Sequence, residues 1–304
     1  MELRSSTVSA FFDDLKTEFN NAYTSASPVW PQLAMKVTSN SEVNVYGWME
    51  QMPQFREWIG TRVFHNIKSN GYTLTNKPWE WSMAVDALKL KYDQYGIYSP
   101  LTATAGKNAA SFPDLQVFGL LNNGFVTTYG ACWDGKAFFA ADHPWKPDEN
   151  GDATTLNNVS NLALTDTNYN TILAAFKQNL QGGDNPFFPG TPEILLVCGT
   201  ALENTAKKIL QADYDQLGAT NVNKGTAELL VHAQITGNYW FLILKNNPIM
   251  PFIYQEFQAV DVETNEGSVD IKETRQYKIM ADMVGAYGYS LPALAYGSTG
   301  SASE

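Results

Sequence analysis

The stretch from Val43 to Pro100 constrains this chain more than any other. Its two ends alternate. At the first, Val43, Val45 and Gly47 interleave with Asn44, Tyr46 and Trp48; at the second, Trp79, Trp81, Met83 and Val85 interleave with Glu80, Ser82 and Ala84. A period of two marks a half-buried ribbon. The middle is different. Arg56, Glu57, Gly60, Arg62, Lys68, Ser69, Asn70 and Gly71 are charged or turn-forming, with too few aliphatic residues between them for a core. The pattern predicts a long hairpin. An isolated hairpin is at best marginally stable in water, so this one has to lean on something, and a neighbouring copy is a candidate. Trp48, Trp58, Trp79 and Trp81 lie in the stretch and Trp30 just before it. Core packing is the usual fate of Trp. The scarcity of aliphatic neighbours here favours an interface, where Trp, Tyr and Arg are enriched.

Particular residues carry a resemblance. They are Asn44-Val45-Tyr46-Gly47-Trp48, Pro53, Arg56-Glu57-Trp58-Ile59-Gly60, Arg62, Gly71-Tyr72, Asn76-Lys77, Gly96-Ile97-Tyr98 and Pro100. Pro113-Asp114, Gly124-Phe125, Asp134-Gly135, Phe138-Phe139 and Asp142-His143-Pro144 continue it. Dense from Ala34 to Pro144 and weaker beyond, this set resembles the major head (capsid) subunits of phage Mu and Mu-like prophages. The resemblance implies an α+β chain of the Hong Kong 97 type. Its expected parts are an N-terminal arm (1–33), an extended-loop hairpin (34–85), a spine helix with peripheral domain (86–160), an axial domain (161–250), and return strands of the peripheral domain with a tail (251–304). It implies a structural protein of the virion, assembled in the host cytoplasm into an icosahedral shell of hexamers and pentamers. That shell would enclose double-stranded DNA without sequence-specific binding. Portal, scaffold or protease, and decoration proteins are the further partners expected; no cofactor, metal or catalytic group is. The interface residues expected are Trp48, Phe55, Arg56, Glu57, Trp58 and Arg62 in the loop, with Phe11, Phe12 and Phe19 in the arm. Some capsids of this fold join a loop lysine covalently to an asparagine. Nothing in the sequence demands that of Lys68, which reads as a solvated charge.

Composition excludes other classes. A formal net charge of -11 argues against gripping nucleic acid along a basic face. It is compatible with a container whose wall repels phosphate, and equally with ordinary solubility. Cys132 and Cys198 are the only cysteines, so there is no disulfide framework. The start, MELRSSTVSAFFDDL, has no apolar leader core, and no apolar run is long enough for a bilayer, so a cytosolic origin is expected.

In chain order, Phe11, Phe12, Leu15 and Phe19 fall at helical spacing, for a segment either docked on its own domain or reaching a neighbour. After the hairpin, 84–92 reads as a helix that Gly96 and Pro100 break. Pro100 can open a second helix, and Pro113 predicts a spine that is kinked or built in two pieces. Asp134-Gly135 predicts a hairpin over 127–145, and 146–160 a polar loop and domain boundary. Tyr169, Ile172, Leu173, Phe176 and Leu180 line one face of a helix over 165–180. A buried strand over 193–198, a capping box Thr200/Glu203 opening a helix to Gln211, a polar loop over 212–224 and two strands turning at Gly237-Asn238 complete the axial set. The alternation from Phe252 to Pro292, including Val269 and Ile271, predicts long strands, and 297–304 a small polar tail.

Two readings from other classes compete. A carbohydrate-binding or adhesin module would use the Trp set as sugar platforms. A cysteine hydrolase would pair Cys132 with His143, but no third residue or oxyanion partner is apparent, and Asp142-His143-Pro144 reads equally as a turn. His65, His143 and His232 stand at no metal-ligand spacing, and the glycines at 182, 183 and 190 spell no phosphate loop.

Overall fold

The computed structural model describes residues 5–47, 57, 59–60, 72–86, 89, 95–147, 153–181, 190–214, 218–265, 271 and 274–302. Two sheets organise them. The first has four strands: β1 (Ala34–Thr38), β4 (Lys77–Asp86), β11 (Phe252–Thr264) and β12 (Gln276–Tyr289), in the order β1-β11-β12-β4. One face is covered by α1 (Ser5–Ser25) and α2 (Tyr95–Asn123). The helical spacing of Phe12, Leu15 and Phe19 puts all three on the buried side of α1, against Val85, Ile279 and Ala281 of the sheet. The two helices cross at Gly106, where a side chain would meet the Phe19 carbonyl at 2.3 Å. Inward residues of β4 and β12 alternate with outward ones, as a sheet with one covered face requires.

The second sheet has five strands, β7 (Val159–Leu162), β13 (Ala295–Ala302), β10 (Trp240–Lys245), β8 (Glu193–Cys198) and β9 (Glu228–Val231), in that order. Both faces are buried. Ile194, Leu196, Cys198, Trp240, Leu242 and Leu244 face α3 (Asp166–Gln181) and α4 (Glu203–Gln211). Leu195, Val197, Phe241 and Ile243 face a second core, shared with Phe118 and Leu121 of α2, Phe138 and Phe139, and Phe252 and Tyr289 of the first sheet. This shared core joins the two sheets through the spine helix.

Several expectations change. Strand β4 does not return along the first arm: β2 (Val43–Tyr46) pairs with β3 (Tyr72–Thr75), and β4 pairs with β12. Alternation identifies a strand but not its partner. Ala84–Asp86 belongs to β4, not to a helix. The spine is one helix of 29 residues through both prolines, about 44 Å long at 1.5 Å per residue. An interior proline costs about 3 kcal/mol; here burial of Val117, Phe118 and Leu121 in the shared core opposes that cost. Asp114, next to Pro113, also accepts hydrogen bonds from the Val29 and Trp30 amides at 2.9 and 2.6 Å.

Residues 127–142 form turns rather than strands. Cys132 and Lys136 bond once across Asp134-Gly135, after which Phe138 and Phe139 enter the shared core. The predicted loop 146–160 instead holds the end of β5 (His143–Pro147), all of β6 (Ala153–Leu156), which pairs with it, and the start of β7. The strands beside Gly237-Asn238 are not each other's partners, because β8 lies between β9 and β10. Thr200–Leu202 is a 3₁₀ turn and Leu202, without a side-chain cap, precedes α4, so the capping box does not form. Ile271 lies between β11 and β12, and Val269 falls outside the described residues. Residues 297–302 of the predicted tail belong to β13, an interior strand of the second sheet, with Ser298 buried.

Candidate subunit interface

The ribbon β2–β3 flanks residues 48–71 in the chain, of which 57, 59 and 60 are described. Its register sets Val43 opposite Thr75, Asn44 opposite Leu74, Val45 opposite Thr73 and Tyr46 opposite Tyr72. Residues directly opposite share a face, so the ribbon has two. The inner face is held to the first sheet. Tyr46, Tyr72 and Leu74 pack against Ile253 and Ala286, and Gly288 allows this approach, since a side chain there would meet Leu74 and Tyr72 at 2.5 Å. Gln255, fully buried, is the polar hub: its Oε1 accepts from the Tyr46 hydroxyl at 2.7 Å, and its Nε2 donates to Asn76 Oδ1 at 2.7 Å and to the Leu74 backbone carbonyl at 3.4 Å. Asn76 donates onward to Ser39 Oγ and the Ser41 carbonyl. The Tyr289 amide donates to the Tyr72 hydroxyl at 3.0 Å; burial pushes that phenol up to about 12, so it stays neutral. The outer face, Val43, Val45, Thr73 and Thr75, is exposed and carries no charge.

Of the residues predicted at an interface, Glu57 is described and exposed. Trp48, Phe55, Arg56, Trp58 and Arg62, like Lys68, lie outside the described residues. Phe11, Phe12 and Phe19 require a correction. They are 9%, 0% and 1% exposed, packed between the chain's own α2 and first sheet, so they are not on offer to a neighbour. The spacing was read correctly as an apolar stripe; the partner is intramolecular. Trp79 and Trp81 also turn inward, with Trp79 against Phe112 at 4.9 Å and Trp81 against Phe19 at 6.1 Å, which commits both half-buried rings in part to packing.

The thiol chemistry does not assemble. His143 is committed to Asp134, Nδ1 to Oδ2 at 2.7 Å, and its Nε2 faces the Phe138 carbonyl at 3.1 Å. Burial raises the Asp134 carboxyl, but the hydrogen bonds from His143 and the Lys136 amide outweigh it and hold the group below its ordinary value. Cys132 contacts the Ser290 carbonyl at 3.6 Å, and burial pushes its thiol well up, away from thiolate. Among the described residues no group of His, Cys, Asp and Glu could hold a metal, and no helix is long and apolar enough to cross a membrane.

The loop after α4 was legible only as polar. Asn221, buried, donates from one amide to the carbonyls of Lys208, Ile209 and Ala212, capping the helix end, and Asn223 donates to Asp166 of α3. A polar run therefore folds into a pinned loop, which leaves Tyr214 and Val222 68% and 80% exposed.

The model of a family described as "Mu-like prophage major head subunit gpT" matches residues 8–163 and 159–235. The chain is 37% identical over 155 residues to the Mu-like prophage FluMu major head subunit of Haemophilus influenzae, covering 51% of this chain and 49% of that protein. It is 29% identical over 196 residues to the major capsid protein of Escherichia phage Mu, covering 64% and 56%. It thus spans about half the length of these curated relatives. Among solved structures, a chain of the procapsid of bacteriophage JBD30 superposes with a TM-score of 0.63 at 25% identity, over 98% of this chain and 76% of that one. A chain of the cyanophage P-SCSP1u capsid does so at 0.57 and 10% identity, over 90% and 88%, a likeness of fold alone.

Proposed function

This chain belongs to the Mu-like prophage major head subunit gpT family and has the Hong Kong 97-type capsid fold, and we propose that it assembles with copies of itself into the icosahedral head shell of a Mu-like phage or prophage, around double-stranded DNA. The observation that carries this reading is the superposition on the JBD30 procapsid chain along 98% of the present chain, together with the family match. The physical features agree with it. The ribbon on either side of residues 48–71 is firmly anchored, and the thiol and Trp sets that would serve a hydrolase or a lectin are in part spent on packing. In this reading the loop crosses an adjacent subunit, and Trp48, Phe55, Arg56, Glu57, Trp58 and Arg62 form the contact. Assembly takes place in the host cytoplasm, and portal, scaffold or protease, and decoration proteins are the further partners.

The test is particle size. Purified protein, concentrated alone and then with the neighbouring structural proteins of its own phage or prophage, is expected to give fast-sedimenting shells, visible by negative-stain imaging. Protein that stays monomeric in every such mixture would overturn the reading.

A further inference from the structure

We propose that the outer edge of β4 is a strand-addition site for an extended segment of a partner protein in which basic residues alternate with apolar ones. The inference goes beyond the assembly reading and does not depend on it, since every residue it uses belongs to the single subunit.

Three observations converge. The first is the backbone. β4 is the last strand of its sheet, and the direction of its hydrogen-bonding groups follows from β12. The Lys278 carbonyl accepts from the Asn265 amide on the β11 side, whereas the Tyr289 amide donates to the Tyr72 hydroxyl on the other side. Peptide groups alternate in direction along a strand, so the odd-numbered residues of β12 face β4. The register sets Ala281 opposite Trp81 and Met283 opposite Trp79. Trp79, Trp81 and Met83 are thus bonded inward. Glu80, Ser82 and Ala84 turn their N–H and C=O groups to the open edge, where nothing among the described residues meets them. A row of such groups is a template for one more strand, whose main-chain bonds supply affinity.

The other two observations concern the faces that an added strand would continue, and they set its side chains. On the helix side Trp79 and Trp81 are only half-buried, and with Ala109 and Phe112 of α2 they line a cleft of about 200 Å³. This side takes apolar residues. On the opposite side Glu80 stands in one row with Asp282 and Asp261, all exposed, while Lys278 is two rows away, opposite Ala84. A residue added beside Glu80 extends that row, and a lysine or arginine there meets carboxylates. Carboxylates on an edge also repel an acidic strand. The β4 edge of a second copy, with its own Glu80 and Asp86, is disfavoured for that reason, so the charge selects a basic partner.

The experiment titrates full-length, unassembled protein with a short synthetic peptide alternating lysine and valine, and follows amide hydrogen exchange. Saturable binding at low ionic strength is expected, with new protection at the Glu80, Ser82 and Ala84 amides. The same peptide N-methylated throughout keeps its charge and loses its donors, and is expected to bind at least about tenfold more weakly. Ser82→Pro removes an amide that has no partner in the free subunit, which an edge strand tolerates, and is expected to weaken the unmethylated peptide about tenfold as well. Glu80→Gln is expected to weaken it about threefold at low ionic strength and to have no effect at high salt. Absence of saturable binding, equal binding of the methylated peptide, parental binding by Ser82→Pro, or a Glu80→Gln effect that salt does not change would each overturn the proposal. If Ser82→Pro does not fold, the methylated peptide decides in its place. Protection of these amides that appears without peptide and grows with protein concentration would assign the edge to a second copy and overturn the proposal too.

Discussion

The two sheets solve different problems with the same chain. The four-stranded sheet is covered on one face by α1 and α2; on its other face the ribbon β2–β3 covers Ile253 and Ala286, and the remainder carries polar and charged side chains such as Glu80, Asp261 and Asp282. The five-stranded sheet is covered on both faces, so all of β10 from Trp240 to Leu244 is fully buried. One sheet keeps a surface on which substitutions are tolerated and contacts can evolve. The other buries its central strands β8 and β10 on both faces, and it meets the first in the core shared with α2. Charge changes on the open face should therefore act on stability weakly, and any truncation in the closed sheet strongly.

The largest expected effect tests the closed side. Phe241 lies between Phe125 and Phe139 with no exposed surface. Phe241→Ala is predicted to destabilise the subunit by about 3–5 kcal/mol, measured by urea denaturation of the unassembled chain. A loss under about 1 kcal/mol would mean that the shared core is loosely packed, and the contrast between the sheets would fail.

The same contrast explains what could be read from sequence. Strands buried on both faces read as unbroken apolar runs, and Ile194–Cys198 stood out for that reason. Tyr169, Ile172 and Phe176 declared their helix by spacing alone. Strand β13 hid, because Gly297, Ser298, Thr299, Gly300 and Ser301 look like a tail. The burial of Gly297, Ser298 and Gly300 is imposed by others: Gly297 lies under the Phe139 ring, where a side chain would come within 2.8 Å, and the Ser298 hydroxyl donates to the Leu162 carbonyl at 2.6 Å. Such a strand has no apolar signature of its own. The pairing of β4 with β12 was hidden for another reason, since period-two alternation specifies which face is inward and leaves the neighbour open. At the candidate interface the sequence showed the alternation of β2. It did not separate α1, whose Phe residues face inward, from the ribbon, whose valines face out. The hub residue Gln255 gave no signal, being one polar residue within an alternating run.

An intermediate effect probes the joint between the sheets. The turn that delivers Phe138 and Phe139 is tied by Asp134 to His143, with side chains 3% and 1% exposed. Losing a buried hydrogen bond to a charged group costs about 1.5–3 kcal/mol, so Asp134→Asn is predicted to lower the thermal midpoint at neutral pH. The folded carboxyl titrates below its unfolded value of ~3.9. Its contribution is therefore complete above that pH and is lost as pH falls through the folded pKa. Parent and variant should differ fully at pH 6 and converge on acidification. A gap that stays constant down to the lowest pH at which the fold survives would assign the loss to altered packing instead of charge.

The smallest effect belongs to the open face and has the opposite sign. The registers place Glu80 of β4 opposite Asp282 of β12, and Asp282 opposite Asp261 of β11. Three carboxylates thus form one row across three neighbouring strands, all exposed. Like charges directly opposite on a sheet are destabilising, at the scale of about 0.2–1 kcal/mol per pair, and exposure to water and salt reduces this further. Asp282 is the middle member, so Asp282→Asn relieves two repulsions while keeping size and shape. It is predicted to raise the stability of the unassembled subunit by a few tenths of a kcal/mol, within that range. The gain should be larger at low ionic strength and should vanish at high salt, because screening removes from the parent the same repulsion that the variant lacks. A gain independent of salt would point to strand propensity instead of charge. A loss of stability would mean that Asp282 contributes to the fold through its carboxylate, and the open face would then be as constrained as the closed one.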